Sequence, residues 1–160
     1  MITLPAIRGK IGTTEYYLTS MSARELVSSV KPADELEEWE SMTIEEKMQR
    51  EPNWNRIKKE IAPYFANSAD RFLGTIIVST RNAVLSFRSQ DEMTSVKQGY
   101  ANVLGSGIKK LQEKIGLLSI DGGILIALDG QHRLLALRNV IQDKDGSDGE
   151  FKWDVPNDDI

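Results

Sequence analysis

The clearest pattern of apolar and polar positions lies at residues 124–141. An unbroken apolar run over 124–128 stops at Asp129 and Gly130, and three polar residues, 131–133, follow it. Apolar residues then return at the spacing of a helix, at Leu134, Leu137 and Ile141. This change of period predicts a buried strand, a tight turn and the first turns of a helix.

Short helices are predicted in the first third of the chain. Ser22 and Glu25 fit the capping-box pattern, which marks the start of a helix, and that helix is expected to end near Val30. Two more short helices are predicted at 33–40 and 43–50, each bounded by proline or a capping residue.

A longer helix is predicted after Asn53, a residue type that often caps helix starts. Its buried stripe is expected to consist of apolar residues at three- and four-residue spacing: Trp54, Ile57, Ile61 and Phe65. Pro63 lies inside this pattern and is expected to kink or shorten the helix.

Runs typical of strands occur in five places: 2–18, 72–79, 83–87, 117–120 and 124–128. Gly9 and Gly12 are expected to break the first run. The turn residues 121–123 predict a hairpin between the last two runs, and Arg81-Asn82 predict one between the second and third. Residues 92–116 are weakly helical. These elements predict the α/β fold class, with a small mixed sheet surrounded by helices.

Length and charge indicate one domain followed by an acidic tail. The chain has 160 residues and a net charge of −4, and seven of its 24 acidic residues lie at 143–160. We therefore expect a domain at 1–142 and interpret 143–160 as the truncated start of further sequence. Because residues 1–142 are nearly neutral, a broadly basic surface for DNA is excluded. Contact with nucleic acid would have to come from a local patch.

The cysteine and histidine content limits the chemistry. The chain has no cysteine and a single histidine, which excludes disulfides, thiol nucleophiles, zinc–thiolate sites and histidine-rich metal sites. We expect no zinc, haem or flavin, whereas Mg²⁺ is expected to accompany a nucleoside triphosphate if one binds. No apolar run approaches the roughly 20 residues of a membrane span, and residues 1–20 lack the basic-then-apolar layout of a signal peptide. A cytoplasmic protein without a membrane partner is expected.

The Asp-Gly-Gln-His-Arg turn carries the strongest candidate chemistry. Asp129 is typical of a helix N-cap, and Gly130 allows a sharp backbone turn. Gln131, His132 and Arg133 then lie on the first helical turn, where backbone amides and the helix dipole favour an anion. Arg133 suits a bidentate phosphate contact, and His132 suits acid–base chemistry. The alternative is structural: Asp129 caps the helix, His132 is a satisfied boundary residue and Arg133 pairs with a nearby acid.

Two further pairs, Gln49-Arg50 and Asn55-Arg56, flank the start of the helix predicted after Asn53. Arginines six residues apart suit convergent binding of an anion. The alternative is that both are solvent-exposed charges at helix ends, the commoner situation for arginine.

Residues 128–137 resemble the signature of the DGQHR-domain family, whose best-known branch, DndB, is associated with DNA phosphorothioate modification. Residues 21–27, Gln49-Arg50 and 55–57 resemble earlier blocks of that family, and the likeness extends over about residues 4–140. The family is similar to the ParB/sulfiredoxin-like fold, a small α/β unit. In that fold, a Gly-x-(His/Arg)-Arg element at a helix start holds nucleotide phosphates.

The resemblance implies that phosphate-binding residues lie in two segments of this chain: Gly130, Gln131, His132 and Arg133 in one, and Gln49, Arg50 and Arg56 in the other. Sulfiredoxins carry a reactive cysteine where this chain has Gln131, so their redox chemistry is excluded. Family members are also typically longer than this chain.

Two functions are expected from the resemblance. The first is a DNA-associated regulator of a DNA-modification or phage-defence system, which binds a nucleotide or a DNA phosphate at the turn and has DNA and other DNA-modification proteins as partners. The second is a nucleotide hydrolase, an ATPase or CTPase, in which Asp129 and His132 are catalytic and Mg²⁺ accompanies the nucleotide. A third alternative is a protein-interaction module in which the turn only starts a helix.

Overall fold

The computed structural model describes residues 1–32, 35, 52–93 and 101–144. The strands are β1 (Ile2–Ile11), β2 (Thr14–Thr19), β3 (Val30–Pro32), β4 (Ile77–Arg81), β5 (Val84–Ser89), β6 (Ile115–Asp121) and β7 (Ile124–Asp129). The α-helices are α1 (Ala23–Ser29), α2 (Trp54–Arg56), α3 (Ala62–Asn67), α4 (Gln90–Met93), α5 (Ala101–Lys114) and α6 (Gln131–Lys144), with a π-helical turn, Ile57–Ile61, between α2 and α3. The predicted α/β class is confirmed, but the strands form two sheets rather than one.

The first sheet belongs to a compact unit made of residues 1–21 and 82–123. Its strand order is β2-β1-β6-β5, and every neighbouring pair is antiparallel. Leu4 lies opposite Leu118, and Ile2 lies opposite Ile120. Because side chains on a strand alternate between faces, this register places these apolar residues on one face of the sheet, which forms the core of the unit.

The second sheet belongs to the unit made of residues 22–81 and 124–160, described here as far as 144. Its order is β3-β7-β4, with β7 parallel to β3 and antiparallel to β4. As the central strand, β7 buries three consecutive residues, Leu125, Ile126 and Ala127. A strand covered on both faces reads as a continuous apolar run, and the buried strand predicted for 124–128 is confirmed at these three positions. The two ends of the run, Ile124 and Leu128, are 38% and 46% exposed.

Helix α6 forms the core of this second unit. Helix α2, the π turn and α3 follow one another without a break and are called the 54–67 helix below. Four consecutive residues of α6, 134–137, are buried because α6 contacts β3 and β7 as well as α1 and the 54–67 helix. Its main partners from the 54–67 helix are Ile57 and Phe65, both buried. The predicted stripe is confirmed at these two positions, and the partly buried Ile61 packs against the same cluster. Trp54, by contrast, is 47% exposed and lies outside the core.

Both predicted hairpins are wrong. Strand β6 pairs with β1 and β5, whereas β7 pairs with β3 and β4. Strands β4 and β5 likewise belong to different sheets. The chain turns sharply at Gly122 and Gly123, which have φ angles of 65° and 67°. The same glycine signal that closes a hairpin therefore serves here to pass the chain from one unit to the other.

Local details correct several other predictions. The break expected at Gly12 is confirmed, but Gly9 lies inside β1 opposite Tyr16, whose ring occupies the place of the missing Cβ. Pro63 does not shorten its helix, which continues to Asn67, and the expected kink stays a prediction. The Ala62 N–H bonds to the carbonyl of Ile57, five residues back, and this wider π turn accommodates the proline that follows. The helices predicted at 33–40 and 43–50 lie outside the described residues, apart from residue 35.

Within the described ranges, none of the helices combines the length and apolar character needed to cross a membrane.

Candidate functional site

The predicted strand–turn–helix unit is present, but its cap differs from the prediction. Strand β7 ends at Asp129, and α6 begins at Gln131. The carbonyl of Gly130 accepts the N–H groups of Arg133 and Leu134, both at 3.0 Å. Gly130 therefore holds the N-cap position expected for Asp129. Its φ of 85° explains why glycine is required, since other residues adopt this conformation only with strain.

Arg133 folds back over the turn that precedes its own helix. Its Nη2 lies 3.4 Å from Oδ2 of Asp129. A Cβ placed on Gly130 would lie 2.9 Å from Nη2 and 3.2 Å from Nε of Arg133, so the guanidinium rests against the glycine. Helical side chains point toward the N-terminus of their helix, and this tilt brings the cation to the start of α6. The Arg133 side chain is 29% exposed.

His132 is joined to a segment 79 residues earlier. Its Nε2 accepts a hydrogen bond from the backbone N–H of Asn53 at 3.0 Å. Because Nε2 is the acceptor, the neutral imidazole carries its proton on Nδ1. Burial, and then the charge of Arg56, hold the pKa of His132 below its ordinary value of 6.5. The contact with Asn53 and the lowered pKa both favour the neutral ring.

Asn53 is itself the cap of the 54–67 helix. Its Oδ1 accepts the Arg56 N–H at 3.0 Å, and its carbonyl accepts the Ile57 N–H at 2.9 Å. The N-cap prediction is confirmed. Since Asn53 also contacts His132, the starts of two helices meet at this point.

The electrostatics of this meeting point favour an anion. Each helix start carries a partial positive charge from its unsatisfied amides, roughly half an elementary charge. Arg56 and Arg133 add two full charges. Each arginine is balanced by one exposed carboxylate, since Arg56 lies 3.6 Å from Glu60 and Arg133 lies 3.4 Å from Asp129. The arrangement is suited chemically to binding a phosphate or a similar oxyanion.

The structure brings together most of the predicted site residues. Asp129, Gly130, His132 and Arg133 line the turn, and Arg56 is close enough for its charge to lower the pKa of His132. Gln131 is only 5% exposed. Gln49 and Arg50 lie outside the described residues, so their predicted contribution stays a prediction.

Two residues of the site were missed from sequence. Asn53 was predicted only as a helix cap, and its contact with His132 comes from a distant segment. Gly74 was read as part of a strand over 72–79, but β4 begins at Ile77, and Gly74 lies against the Arg133 guanidinium. A glycine inside a strand pattern often marks close approach of another group, and that signal could have identified it.

Comparison with known proteins identifies the family. The family model described as DndB, DNA-sulfur modification-associated, matches residues 4–154. No curated protein and no solved structure matches the chain. The predicted likeness to the ParB/sulfiredoxin-like fold therefore stays a prediction. The match includes β7, the Asp129–Arg133 turn and the 54–67 helix, and it extends over most of the sequence. The chain therefore belongs to the DndB family of DNA-sulfur-modification-associated proteins.

Proposed function

We propose that this protein is a DNA-associated regulator of a DNA phosphorothioate-modification or phage-defence system, acting in the cytoplasm, and that it binds a phosphate group where α6 begins. The phosphate belongs to a nucleotide or to the DNA backbone. One observation carries the proposal: two helix starts, joined by the hydrogen bond between Asn53 and His132, meet beside Arg56 and Arg133. Membership of a family associated with DNA sulfur modification supports the DNA context.

The ion pairs within the site support exchange for a phosphate. The side chains of Asp129 and Glu60 are 68% and 69% exposed. Exposed ion pairs of this kind contribute only about 0–1 kcal/mol. A phosphate offers more charge and more acceptor oxygens, and each charge-assisted hydrogen bond is worth about 1.5–3 kcal/mol. Arg56 and Arg133 would therefore lose little by releasing their carboxylates to bind a phosphate.

We favour binding over hydrolysis as the role of the site. In the hydrolase alternative, Asp129 and His132 are the catalytic groups, and Mg²⁺ accompanies an ATP or CTP substrate. A general base needs a lone pair that is available to the attacking water. Nε2 of His132 already accepts the Asn53 N–H, and the Asp129 carboxylate pairs with Arg133. These contacts support a binding site.

The proposal is tested by thermal unfolding with ATP, CTP or a short DNA duplex, each with and without Mg²⁺. A ligand at about 100 times its Kd adds about 2.7 kcal/mol, which raises the midpoint of a chain of this size by about 5–10 °C. Arg133→Ala should remove most of the increase. Arg88→Ala, which removes an exposed arginine of β5, is the matched control and should respond like the wild type.

Three outcomes separate the sources of the phosphate and the roles of the site. A shift with nucleotides alone assigns a nucleotide site, and a shift with duplex that weakens at higher salt assigns a DNA phosphate. If neither ligand shifts the wild-type midpoint and the full-length protein retards no DNA at low salt, the proposal is wrong. Phosphate release from ATP or CTP that His132→Ala abolishes would favour the hydrolase instead.

A further inference from the structure

The guanidinium of Arg133 lies between two glycines from different segments. Gly130 precedes α6 and faces Nε and Nη2, whereas Gly74 precedes β4 and faces Nη1. A Cβ on Gly74 would overlap Nη1 and would lie 3.6 Å from Cζ. The space that the guanidinium occupies therefore exists because both residues lack a side chain.

The segment that contains Gly74 is anchored, so it cannot easily move away from the arginine. The hydroxyl of Tyr64, on α3, accepts the N–H of Phe72 at 2.8 Å and donates to the carbonyl of Asp70 at 3.2 Å. Nε of Arg71 donates to the carbonyl of Ser68 at 2.8 Å. These bonds fix the backbone only two residues before Gly74. A side chain added at residue 74 would therefore displace the flexible guanidinium rather than the segment.

We propose that Gly74 is a positioning residue that holds Arg133 over the start of α6, in the geometry needed to bind a phosphate. The role of the site rests on the function proposed above, but the positioning itself does not. Gly74 contacts no ligand in this proposal. Because Gly74 has no side chain, it leaves room for Nη1 of Arg133, and its backbone forms the boundary of that room.

Gly74→Ala is a clean probe because it changes little else. Gly74 does not adopt a positive φ, and the atoms that its Cβ would meet belong to the far end of the Arg133 side chain. Gly107→Ala is the matched control, since a Cβ at Gly107 meets nothing within 4 Å and its φ is also not positive.

The experiment is a double-mutant cycle between Gly74→Ala and Arg133→Ala in the full chain, read by urea unfolding and by affinity for ATP. In the wild-type background, Gly74→Ala should lower the ATP affinity by about tenfold. In the Arg133→Ala background the same change should alter affinity by less than about twofold. The urea midpoint should fall with Gly74→Ala only when Arg133 is present. Gly107→Ala should lower neither the ATP affinity nor the urea midpoint.

The outcomes separate this proposal from the proposed function. If the wild type binds neither ATP, CTP nor DNA, the proposed function fails, while the urea cycle still tests the positioning. Equal loss of stability in both backgrounds would mean that Gly74 is needed by its own segment, and the proposal would be wrong. It would also be wrong if Gly74→Ala changed nothing. Should Gly74→Ala fail to fold, folding restored by Arg133→Ala would support the proposal, and failure of both would overturn it.

Discussion

The helices α1 and α6 belong to the same unit but begin in opposite ways. At α1, Ser22 Oγ accepts the Glu25 N–H at 3.3 Å, and the Glu25 carboxylate accepts the Ser22 N–H at 2.9 Å. The helix thus satisfies its own first amides, and Glu25 places a negative charge at the positive end of the helix. The pKa of Glu25 lies below its ordinary value of 4.5, because its carboxylate accepts hydrogen bonds from the Ser22 backbone and side chain.

The start of α6 has neither a side-chain cap nor an acidic residue in its first turn. Gly130 has no side chain with which to cap the amides, and the first turn contains His132 and Arg133 but no acid. A cation at the positive end of a helix is unfavourable, by about 0.3–1 kcal/mol. The helix forms nonetheless because residues 134–137 are buried in the core of the unit. Where a buried helix keeps an unfavourable start, a requirement other than stability is indicated, and binding of an anion would satisfy it.

The largest expected effect on the free energy of unfolding comes from Gly130→Ala, which changes the cap residue of α6. Alanine at a φ of 85° is strained by about 1–2 kcal/mol, and its Cβ would also meet Arg133 and lie 3.0 Å from Cγ1 of Ile76. Gly122→Ala is the control, because it has a φ of 65° but a Cβ there meets nothing within 4 Å. Urea unfolding should show a greater loss for Gly130→Ala. Equal losses would mean that the packing around Gly130 contributes nothing.

Ser22→Ala should have the second largest effect, at the conventional helix start. Loss of an N-cap costs about 1 kcal/mol, so the free energy of unfolding should fall by that amount. Ligand affinity should be unchanged, because the capping box only completes α1. Ser28→Ala, in the same helix, is the control and should stay within about 0.5 kcal/mol of the wild type. A weaker affinity for ATP or DNA in Ser22→Ala would contradict the distinction between the two helix starts.

The comparison also explains which parts of the fold could be predicted. The helix starts at Ser22 and Asn53 and the buried stripe at Ile57 and Phe65 depend on residues close in sequence, and spacing and capping residues predict them. They do not predict strand pairing, because the turns at 81–82 and 121–123 have hairpin chemistry while the flanking strands join different sheets. Which strands pair depends on the packing of distant segments, and a local turn signal does not report it.

The same division applies to the candidate site. The turn at 129–133 is contiguous and was predicted as a unit, although Gly130 rather than Asp129 takes the cap position. Asn53 and Gly74 reach the turn from distant segments. Asn53 contributes a backbone N–H, which every residue except proline possesses, and Gly74 contributes only the absence of a side chain. The glycine within the strand pattern indicates that some group approaches residue 74, but neither contribution shows that the group belongs to the turn at 129–133. Sequence pattern alone therefore does not join these residues to the site.

A smaller effect on stability is expected from pH. Acid should lower the contribution of His132, at the start of α6, and that of Glu25, at the start of α1, in different pH ranges. The folded-state pKa of His132 lies below 6.5, so the unfolded chain binds a proton first as pH falls. The contribution of His132 to stability is therefore complete above about pH 6.5 and declines below it. Glu25 behaves like an acid with a lowered pKa. Its contribution is complete above about pH 4.5 and is lost as pH falls further.

Urea unfolding between pH 4 and 8 would separate these ranges. His132→Gln keeps an acceptor but does not titrate, so it should abolish the decline near pH 6.5 and leave the one below pH 4.5. Ser22→Ala should reduce the acidic decline alone. Identical pH profiles for the wild type and His132→Gln would mean that the contact with Asn53 does not distinguish the two protonation states.

The smallest expected effect is on the pKa of His132 when Arg56 is neutralised. Burial is the larger cause of the lowered pKa and stays in place, whereas Arg56→Gln removes only the second, electrostatic cause. The pKa should therefore rise toward 6.5 without reaching it. Because His132 is the only histidine, its imidazole signal can be followed in an NMR titration without assignment. Lys59→Gln removes a cation from the same helix and should leave the pKa unchanged. If Arg56→Gln does not raise the pKa of His132, Arg56 does not act on the start of α6, and the anion site loses one of the two arginines that the described residues contribute to it.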